Sequence, residues 1–264
     1  MMENMIFICA CVLSAIYGLC VGSFLNVVIY RLPIGLSLAK PSSHCPQCEQ
    51  PISWYDNIPV LSYILLGGKC RNCKAHISLR YTIVEIVNAV LWWASVFLFW
   101  QQSIVFAVCC AIACSVLLAI FFIDLENMVI PDILNLLLAV VGVVAIFSGD
   151  GTKWYERLIG AAVGLLFFAA MKFGAKLLLG RDGMGGGDVL LMGAAGLLLG
   201  WKSLLFSMLI SSVVGSVILV ALSVKNKEKN KEYPFAPFLC GGIIIALLFG
   251  NQIIGWYISM LLNF

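Results

Sequence analysis

Eight apolar runs, separated by polar segments, dominate the hydrophobic pattern of this chain. A membrane-spanning helix needs roughly 20 mainly apolar residues. Most of the runs approach that length, and the pattern predicts an all-α polytopic membrane protein with about eight transmembrane helices. One run, 189–200, is short enough to be part of a broken helix. The runs cover residues 5–30, 81–100, 104–123, 133–148, 157–179, 189–200, 203–224 and 236–262.

The composition agrees with a lipid-embedded chain. Hydrophobic residues make up 62% of it, charged residues 11%, and the mean hydropathy is +1.04. Soluble domains average about 25% charged residues. The net charge of +3 is small, so nothing here indicates a nucleic-acid partner. The first four residues carry Glu3 and no Lys or Arg, which favours a retained first helix over a cleaved signal peptide.

The basic residues are distributed unevenly between the predicted loops. Segments 31–80, 172–188 and 225–232 hold six, three and four of the sixteen Lys and Arg residues. With eight spans, these three segments fall on one side of the membrane, together with the short turn 124–132. Because basic loops stay in the cytoplasm, the pattern predicts that segment 31–80 is cytoplasmic and that both termini face out.

Two C-x-x-C pairs lie in segment 31–80, Cys45 with Cys48 and Cys70 with Cys73, separated by 21 residues. Four thiolates on two tight turns supply the tetrahedral shell that Zn²⁺ prefers. Such a site has no open position, so we expect a structural zinc ion that stabilises a small loop domain. The alternative, two disulfide bonds, requires an oxidising compartment and conflicts with the predicted cytoplasmic side.

His44 and His76 flank this cluster, and we interpret them as surface residues because four cysteines already complete the shell. The other seven cysteines lie in apolar runs, where a thiol behaves as a small hydrophobic group. We assign them no chemistry. They are Cys9, Cys11, Cys20, Cys109, Cys110, Cys114 and Cys240.

Two carboxylates stand at the ends of apolar runs. Asp124 follows Phe121-Phe122-Ile123, and Asp188 precedes Val189-Leu190-Leu191-Met192. Both are predicted at the cytoplasmic edge of the membrane, where an ionisable group is costly and indicates function. Glu85 also lies in an apolar run, where it could snorkel or pair with Arg80.

Asp188 and Asp124 each have an alternative interpretation that involves no catalysis. The glycines before Asp188, Gly185-Gly186-Gly187, permit close backbone approach, but small residues also serve helix packing, as Gly160-x-x-x-Gly164 and Gly196-x-x-x-Gly200 are expected to do. The segment from Asp124 to Asp132 contains three acids and would pass for a solvated turn, with Pro131 starting the next helix.

Two carboxylates that share a proton can perform aspartic proteolysis. One activates a water molecule and the other protonates the peptide carbonyl, so neither a metal nor a nucleophilic side chain is needed. The helix dipole disfavours negative charge at the helix C-terminus, where Asp124 lies, and favours it at the N-terminus, where Asp188 lies. Our hypothesis is that Asp188 is ionised at rest and Asp124 holds the proton.

The motifs together resemble the bacterial type IV prepilin peptidases, membrane aspartic proteases of the GxGD class. The resemblance extends along almost the whole chain. One departure is Ala236, which stands where the family usually has glycine in P-F-G-P-F. The matching motifs are Gly22-Ser23-Phe24-Leu25-Asn26-Val27-Val28-Ile29-Tyr30-Arg31-Leu32-Pro33, Ser43-His44-Cys45-Pro46-Gln47-Cys48, Asn57-Ile58-Pro59-Val60-Leu61-Ser62, Cys70-Arg71-Asn72-Cys73, Asp124-Leu125-Glu126, Ile130-Pro131-Asp132 and Gly185-Gly186-Gly187-Asp188.

The resemblance implies that Asp124 and Asp188 are the catalytic aspartates of a protease in the bacterial inner (cytoplasmic) membrane. The implied substrates are prepilins and pseudopilins of type IV pilus and type II secretion systems, cleaved after a basic leader that ends in glycine. It also implies N-methylation of the new N-terminus with S-adenosylmethionine, by a methyl-donor site that no motif locates. A homo-oligomer is left open.

This interpretation divides the chain into a first transmembrane helix (1–30), a cytoplasmic four-cysteine zinc domain (31–80) and a membrane-embedded aspartic protease core (81–264). Three alternatives remain at this stage. They are a zinc-stabilised membrane scaffold, a proton-coupled transporter that uses Asp124 and Asp188 as relays, and a peptidase without methyltransferase activity.

Overall fold

The computed structural model describes residues 2–180, 184–226 and 233–262. Within those ranges the chain forms helices and short turns and contains no β-strand. Residues Arg181, Gly183, Lys227, Lys229 and Lys231, which entered the sequence argument, lie outside the described residues. The helices are α1 (Met2–Arg31), α2 (Leu61–Leu65), α3 (Leu79–Phe99), α4 (Ile104–Asn127), α5 (Asp132–Ile146), α6 (Trp154–Leu179), α7 (Gly186–Leu199), α8 (Trp201–Asn226) and α9 (Ala236–Leu262).

All eight apolar runs are helical, but the predicted number of about eight transmembrane helices is not exact. Among the described residues, six helices (α1, α3, α4, α6, α8 and α9) are long and apolar enough to cross a membrane. Helices α5 and α7 have 15 and 14 residues. At about 1.5 Å per residue they reach about 21–22 Å, short of the roughly 30 Å hydrocarbon core. The protein is therefore a multi-pass membrane protein whose described residues contain six helices long and apolar enough to cross a membrane, together with two shorter apolar helices.

The chain forms two compact units, Met1–Trp100 and Gln101–Phe264. In the first unit α1 packs along α3. Gly18 and Gly22 allow this contact, because a Cβ on either would lie 2.8 Å from a backbone Cα of α3. Two amide side chains cross-link the pair: Asn88 Nδ2 donates to the Gly18 carbonyl at 2.7 Å, and Asn26 Nδ2 donates to the Tyr81 carbonyl at 3.1 Å.

The second unit is arranged around α4. About 72% of the most apolar stretch of this helix is buried. Helices α5 and α9 pack on α4, while α7 lies between α5, α6 and α9. The predicted small-residue packing is present: a Cβ on Gly160 of α6 would lie 2.5 Å from the Gly196 carbonyl oxygen of α7. Helix-to-helix contact at backbone distance therefore holds α7 against α6.

Local signals fix the helix ends near the site. Helix α4 extends past the apolar run to Asn127. The next residue, Met128, adopts the left-handed conformation (φ 54°) and donates its N–H to the Asp124 carbonyl. Helix α6 ends at Gly180 in the same conformation (φ 66°), the usual place for glycine after a helix. Pro131 was predicted to start the next helix, but α5 begins one residue later, at Asp132, and Pro131 immediately precedes it.

Candidate active site and metal site

The four cysteines of the C-x-x-C pairs come together. Their sulfur atoms all lie within 4.8 Å of one another, and Sγ of Cys45 is 3.8 Å from Sγ of Cys73. A tetrahedral zinc ion with Zn–S bonds of about 2.3 Å requires sulfur atoms about 3.8 Å apart. The donor set therefore fits zinc in type, number and spacing. All eleven cysteines lie in the described part of the chain, and none of them forms a disulfide bond there.

The two cysteine turns have the same backbone structure. In each, the N–H of the first cysteine (Cys45 or Cys70) bonds the carbonyl five residues later, and its carbonyl accepts the N–H of the residue four positions later. That residue, Glu49 or Lys74, has a positive φ of 55° or 60°. Such paired turns aim both thiols of a C-x-x-C pair at one point.

Backbone dipoles support a thiolate in the first turn. The N–H groups of Cys48 and Gln47 bond the sulfur of Cys45 and lower the pKa of its thiol to about 6. Metal binding requires the thiolate form. His44 and His76 are exposed and pair with the turns through their backbones, and within the described residues the metal-binding group contains cysteines alone.

A second contact braces this loop domain. Arg71, between the cysteines of the second turn, binds Asp56 through two hydrogen bonds of 2.7 and 2.6 Å. The guanidinium lowers the pKa of the Asp56 carboxyl. This bidentate geometry ties the short 3₁₀ helix Trp54–Asn57 to the second cysteine turn.

Asp124 occupies the last turn of α4 and is buried. Its Oδ2 accepts a hydrogen bond of 3.1 Å from the backbone N–H of Ala236, the first residue of α9. The two residues are 112 positions apart in the chain. Ala236 is not among the residues with positive φ, so its backbone does not require the glycine that is usual in the family.

Asp188 lies in the first turn of α7 and is also buried. Its carboxylate accepts the backbone N–H of Gly185, the residue that caps this helix. This is the return contact of a capping box. The Lys172 ammonium lies over the same helix start, where a Cβ on Gly186 would be 3.3 Å from Nζ. Lys172 and the helix dipole both favour a negative charge there.

The two carboxylates are neighbours at one end of the second unit. Asp124 is close enough to act electrostatically on Asp188, and the buried side chain of Cys240 lies near both carboxyls. Asn135 connects a third helix to this end, since its Nδ2 donates to the Gly187 carbonyl at 3.2 Å. The ends of α4 and the starts of α5, α7 and α9 thus meet around the aspartates that the sequence singled out.

The sequence argument gave no role at the site to four residues that lie beside this pair: Lys172, Asn135, Ala236 and Cys240. Asn135 carried a usable signal in the sequence, because it is a polar residue inside an apolar run. In the structure its side chain is buried, with 4% exposed. Cys240 was assigned no chemistry, and nothing in its apolar surroundings pointed to the carboxylates. Glu126 and Asp132 lie on the exposed surface next to the same helix ends.

Two family models match the chain. Residues 16–100 match the family model described as the Bacterial Peptidase A24 N-terminal domain, and residues 111–220 match the Type IV leader peptidase family. No solved structure matches.

Full-length relatives carry the name prepilin leader peptidase/N-methyltransferase. The chain is 37% identical to the one from Aeromonas salmonicida over 274 residues, which is 94% of this chain and 93% of the relative. It is 37% identical to that of Aeromonas hydrophila over 92% of both chains, and 35% identical to that of Pseudomonas aeruginosa over 93% and 92%. The chain is a peptidase and belongs to the type IV leader peptidase family.

Proposed function

We propose that this protein cleaves the basic leader from type IV prepilins or pseudopilins and then methylates the new N-terminus. Asp124 and Asp188 are the catalytic pair. The observation that carries the proteolytic part is the convergence of these two buried carboxylates at the joined ends of α4, α7 and α9. Relatives of nearly equal length carry both activities in their names. Family membership weighs against the scaffold and transporter alternatives.

The chemistry follows from a carboxylate pair that shares one proton. The ionised carboxylate takes a proton from water, the oxygen attacks the scissile carbonyl carbon, and the protonated carboxyl gives its proton to the carbonyl oxygen. When the resulting diol collapses, the C–N bond breaks and the leaving amine takes a proton. Burial and the neighbouring Asp124 raise the pKa of Asp188 to about 6, while the Gly185 N–H and Lys172 lower it. The two carboxyls share one proton and titrate as a pair.

The location of the pair matches the proposed substrate. A prepilin has a basic leader ahead of an apolar helix, and its scissile bond would lie where that helix leaves the bilayer. Glu126 and Asp132 are exposed carboxylates beside the catalytic end of α4 and α5, and they would attract the basic leader. The excess of Lys and Arg in segments 31–80, 172–188 and 225–232 supports a cytoplasmic position for this end, in the bacterial inner membrane.

The metal and the methyl donor have separate roles in this proposal. Cys45, Cys48, Cys70 and Cys73 would hold a zinc ion with no open coordination position, so the ion stabilises the loop domain. S-adenosylmethionine would supply the methyl group as an electrophilic sulfonium. The new α-amine would accept that methyl group and release one proton, and the donor would leave as a neutral thioether.

The test is co-expression with a prepilin, comparing wild type with Asp124→Asn and Asp188→Asn. Asparagine keeps the size of the side chain and cannot exchange the proton. We expect leader cleavage to fall by on the order of 1,000-fold or more in both variants, since each removes one half of the pair. Mass spectrometry of the pilin N-terminus in wild type reports methylation as an added 14 Da.

Glu156→Gln provides a matched control, because Glu156 is a partly exposed carboxylate at the start of α6 that pairs with Lys202. It should cleave as wild type does. Membrane fractionation and thermal unfolding verify that each variant is inserted and folded. A well-folded Asp124→Asn or Asp188→Asn protein that still removes the leader would disprove the aspartic mechanism.

A further inference from the structure

A cavity of about 390 Å³ lies in the first unit, between the C-terminal half of α1 and the loop that follows it. The wall from α1 includes Ser23, Phe24, Val27 and Arg31, and the loop closes the other sides. This volume is within the range of small-molecule sites. None of the peptidase residues belongs to this unit, so the cavity is a separate feature.

Arg31 gives the cavity its charge, and it is the one charged side chain in the described lining. It is buried, with 6% of its surface exposed. Its Nη1 donates to the Ser37 carbonyl at 3.0 Å. A guanidinium has five N–H donors in a planar fork, so this bond leaves others for a ligand. A buried guanidinium in an open cavity is suited to bind a carboxylate with two parallel hydrogen bonds.

The rest of the lining is mixed in a way that fits a nucleoside. Phe24, Val27 and Leu38 offer apolar surface, and Ser42, Ser43 and Asn57 offer hydroxyl and amide groups. A flat aromatic base can lie on the apolar part, and ribose hydroxyls can bond the polar part. A carboxylate at one end and an adenosine at the other is the chemical outline of S-adenosylmethionine.

Glu85 holds the two walls of the cavity together. Its carboxylate accepts the hydroxyl of Ser23 on α1 and the backbone N–H of Val60, at 2.8 Å, next to Pro59 of the lining. Val60 has φ 61° and ψ −48°, a conformation that is rare for a β-branched residue. Such backbone strain persists only where the surroundings impose it, and it is common at functional sites.

We propose that this cavity is the methyl-donor site, in which Arg31 binds the amino-acid carboxylate of S-adenosylmethionine. The inference rests on the methylation half of the proposed function. Glu85 acts here as a positioning residue that fixes Ser23 and the loop. The cavity would also hold the demethylated product, S-adenosylhomocysteine, which has the same carboxylate and adenosine.

The test measures ligand binding to the full-length protein in lipid nanodiscs by calorimetry. Arg31→Gln removes the charge, and Ala39→Trp fills the cavity from an exposed loop position. We expect both variants to bind S-adenosylmethionine and S-adenosylhomocysteine about 10- to 100-fold more weakly, as the loss of a charged hydrogen bond implies. Adenosine, which lacks the carboxylate, should bind Arg31→Gln as it binds wild type.

Control variants distinguish a loss of donor binding from misfolding and from a loss of leader cleavage. Lys202→Gln, which removes an exposed cation in the second unit, should bind the donor normally. Asp124→Asn should bind it normally while it fails to cleave the leader, so the binding result stands apart from the peptidase result. Zinc content and unfolding temperature check the fold of Arg31→Gln.

Photocrosslinking of radiolabelled S-adenosylmethionine locates the site directly. Adducts on α1 or on residues 38–43 support the proposal, and adducts confined to Gln101–Phe264 overturn it. Equal donor affinity in wild type and Arg31→Gln, or an equal loss of adenosine binding in that variant, also overturns it. Absence of donor binding in wild type would contradict the methylation proposal and this site together.

Discussion

The backbone N–H of Ala236 donates a hydrogen bond to Oδ2 of Asp124 over 3.1 Å. This hydrogen bond joins the first residue of α9 to the last turn of α4. It orients the buried Asp124 side chain, and the backbone N–H that donates it does not titrate. Such a hydrogen bond contributes about 0.5–1.5 kcal/mol when the carboxyl is protonated and about 1.5–3 kcal/mol when it is ionised. The N–H of a first helical residue is not used within the helix, so it is available for this role.

Replacement of Ala236 by proline tests that contact. Proline fits the first position of a helix and lacks the N–H. We expect Ala236→Pro to slow leader cleavage by about tenfold or more, in line with the loss of the hydrogen bond to the Asp124 carboxyl. Ala236→Gly keeps the donor and should cleave within about twofold of wild type. Equal losses in the two variants would mean that packing at Ala236, and not the hydrogen bond, supports Asp124.

Adjacent glycines before Asp188 should differ sharply in their tolerance of a methyl group. A Cβ on Gly187 would lie 2.7 Å from Cβ of Ile130, whereas a Cβ on Gly186 would meet the flexible end of Lys172 at 3.3 Å. Gly187→Ala must displace the start of α7 and with it Asp188. A displacement of about 1 Å at a reacting group can cost on the order of 100-fold in rate.

We therefore expect Gly187→Ala to lose most leader cleavage and Gly186→Ala to keep it, measured on purified enzyme with a prepilin substrate. Adding Ile130→Ala to Gly187→Ala removes the opposing side chain and should restore part of the rate. If Gly186→Ala is as inactive as Gly187→Ala, close approach to Ile130 is not the reason for glycine here.

The helices and the metal ligands were predictable because their signals are local. Apolar runs gave all eight long helices, and the spacing of the cysteine pairs gave the four clustered thiols. The number of spans was not exact, because two of the apolar runs form helices of only 15 and 14 residues, shorter than the roughly 20 residues that a span needs. Helix α4 outlasts its apolar run by four residues, while α5 ends two residues before its run does.

The surroundings of the aspartates were not predictable in the same way. The Ala236 contact spans 112 positions, and the proximity of Cys240 to both carboxylates depends on how α9 packs on α4. The strained backbone of Val60 likewise depends on Glu85, 25 residues later. A single sequence does not show which distant residues come into contact. It therefore indicated the candidate catalytic aspartates but not the residues that pack around them.

Zinc should be bound in a ratio of about one ion per chain, because four thiolates form one closed shell. Cys45→Ser and Cys73→Ser should each lose most of the metal and expose segment 31–80 to faster proteolysis, since the ion supplies much of the stability of a small loop domain. Cys9→Ser, in α1 and remote from the cluster in sequence, should keep the metal. Elemental analysis of the purified proteins measures the ratio, and full metal content in Cys45→Ser would refute the site.

A buried ion pair at the end of the second unit away from the aspartates should dominate its stability. Arg157 and Asp150 lie 2.8 Å apart with side chains 0% and 3% exposed, and Arg157 also donates to the Leu198 carbonyl at the end of α7. Removing one member leaves a buried charge without its counter-charge, which costs about 3–5 kcal/mol. Asp150→Asn should therefore lower the unfolding temperature markedly.

The neighbouring pair Glu156–Lys202 is the matched comparison for Asp150→Asn, at 3.0 Å but with side chains 20% and 55% exposed. Exposed pairs contribute only about 0–1 kcal/mol, so Glu156→Gln should unfold close to wild type. Thermal unfolding of both variants in one detergent gives the comparison. Equal unfolding temperatures would mean that the Arg157–Asp150 pair is not buried from solvent as the structure shows it.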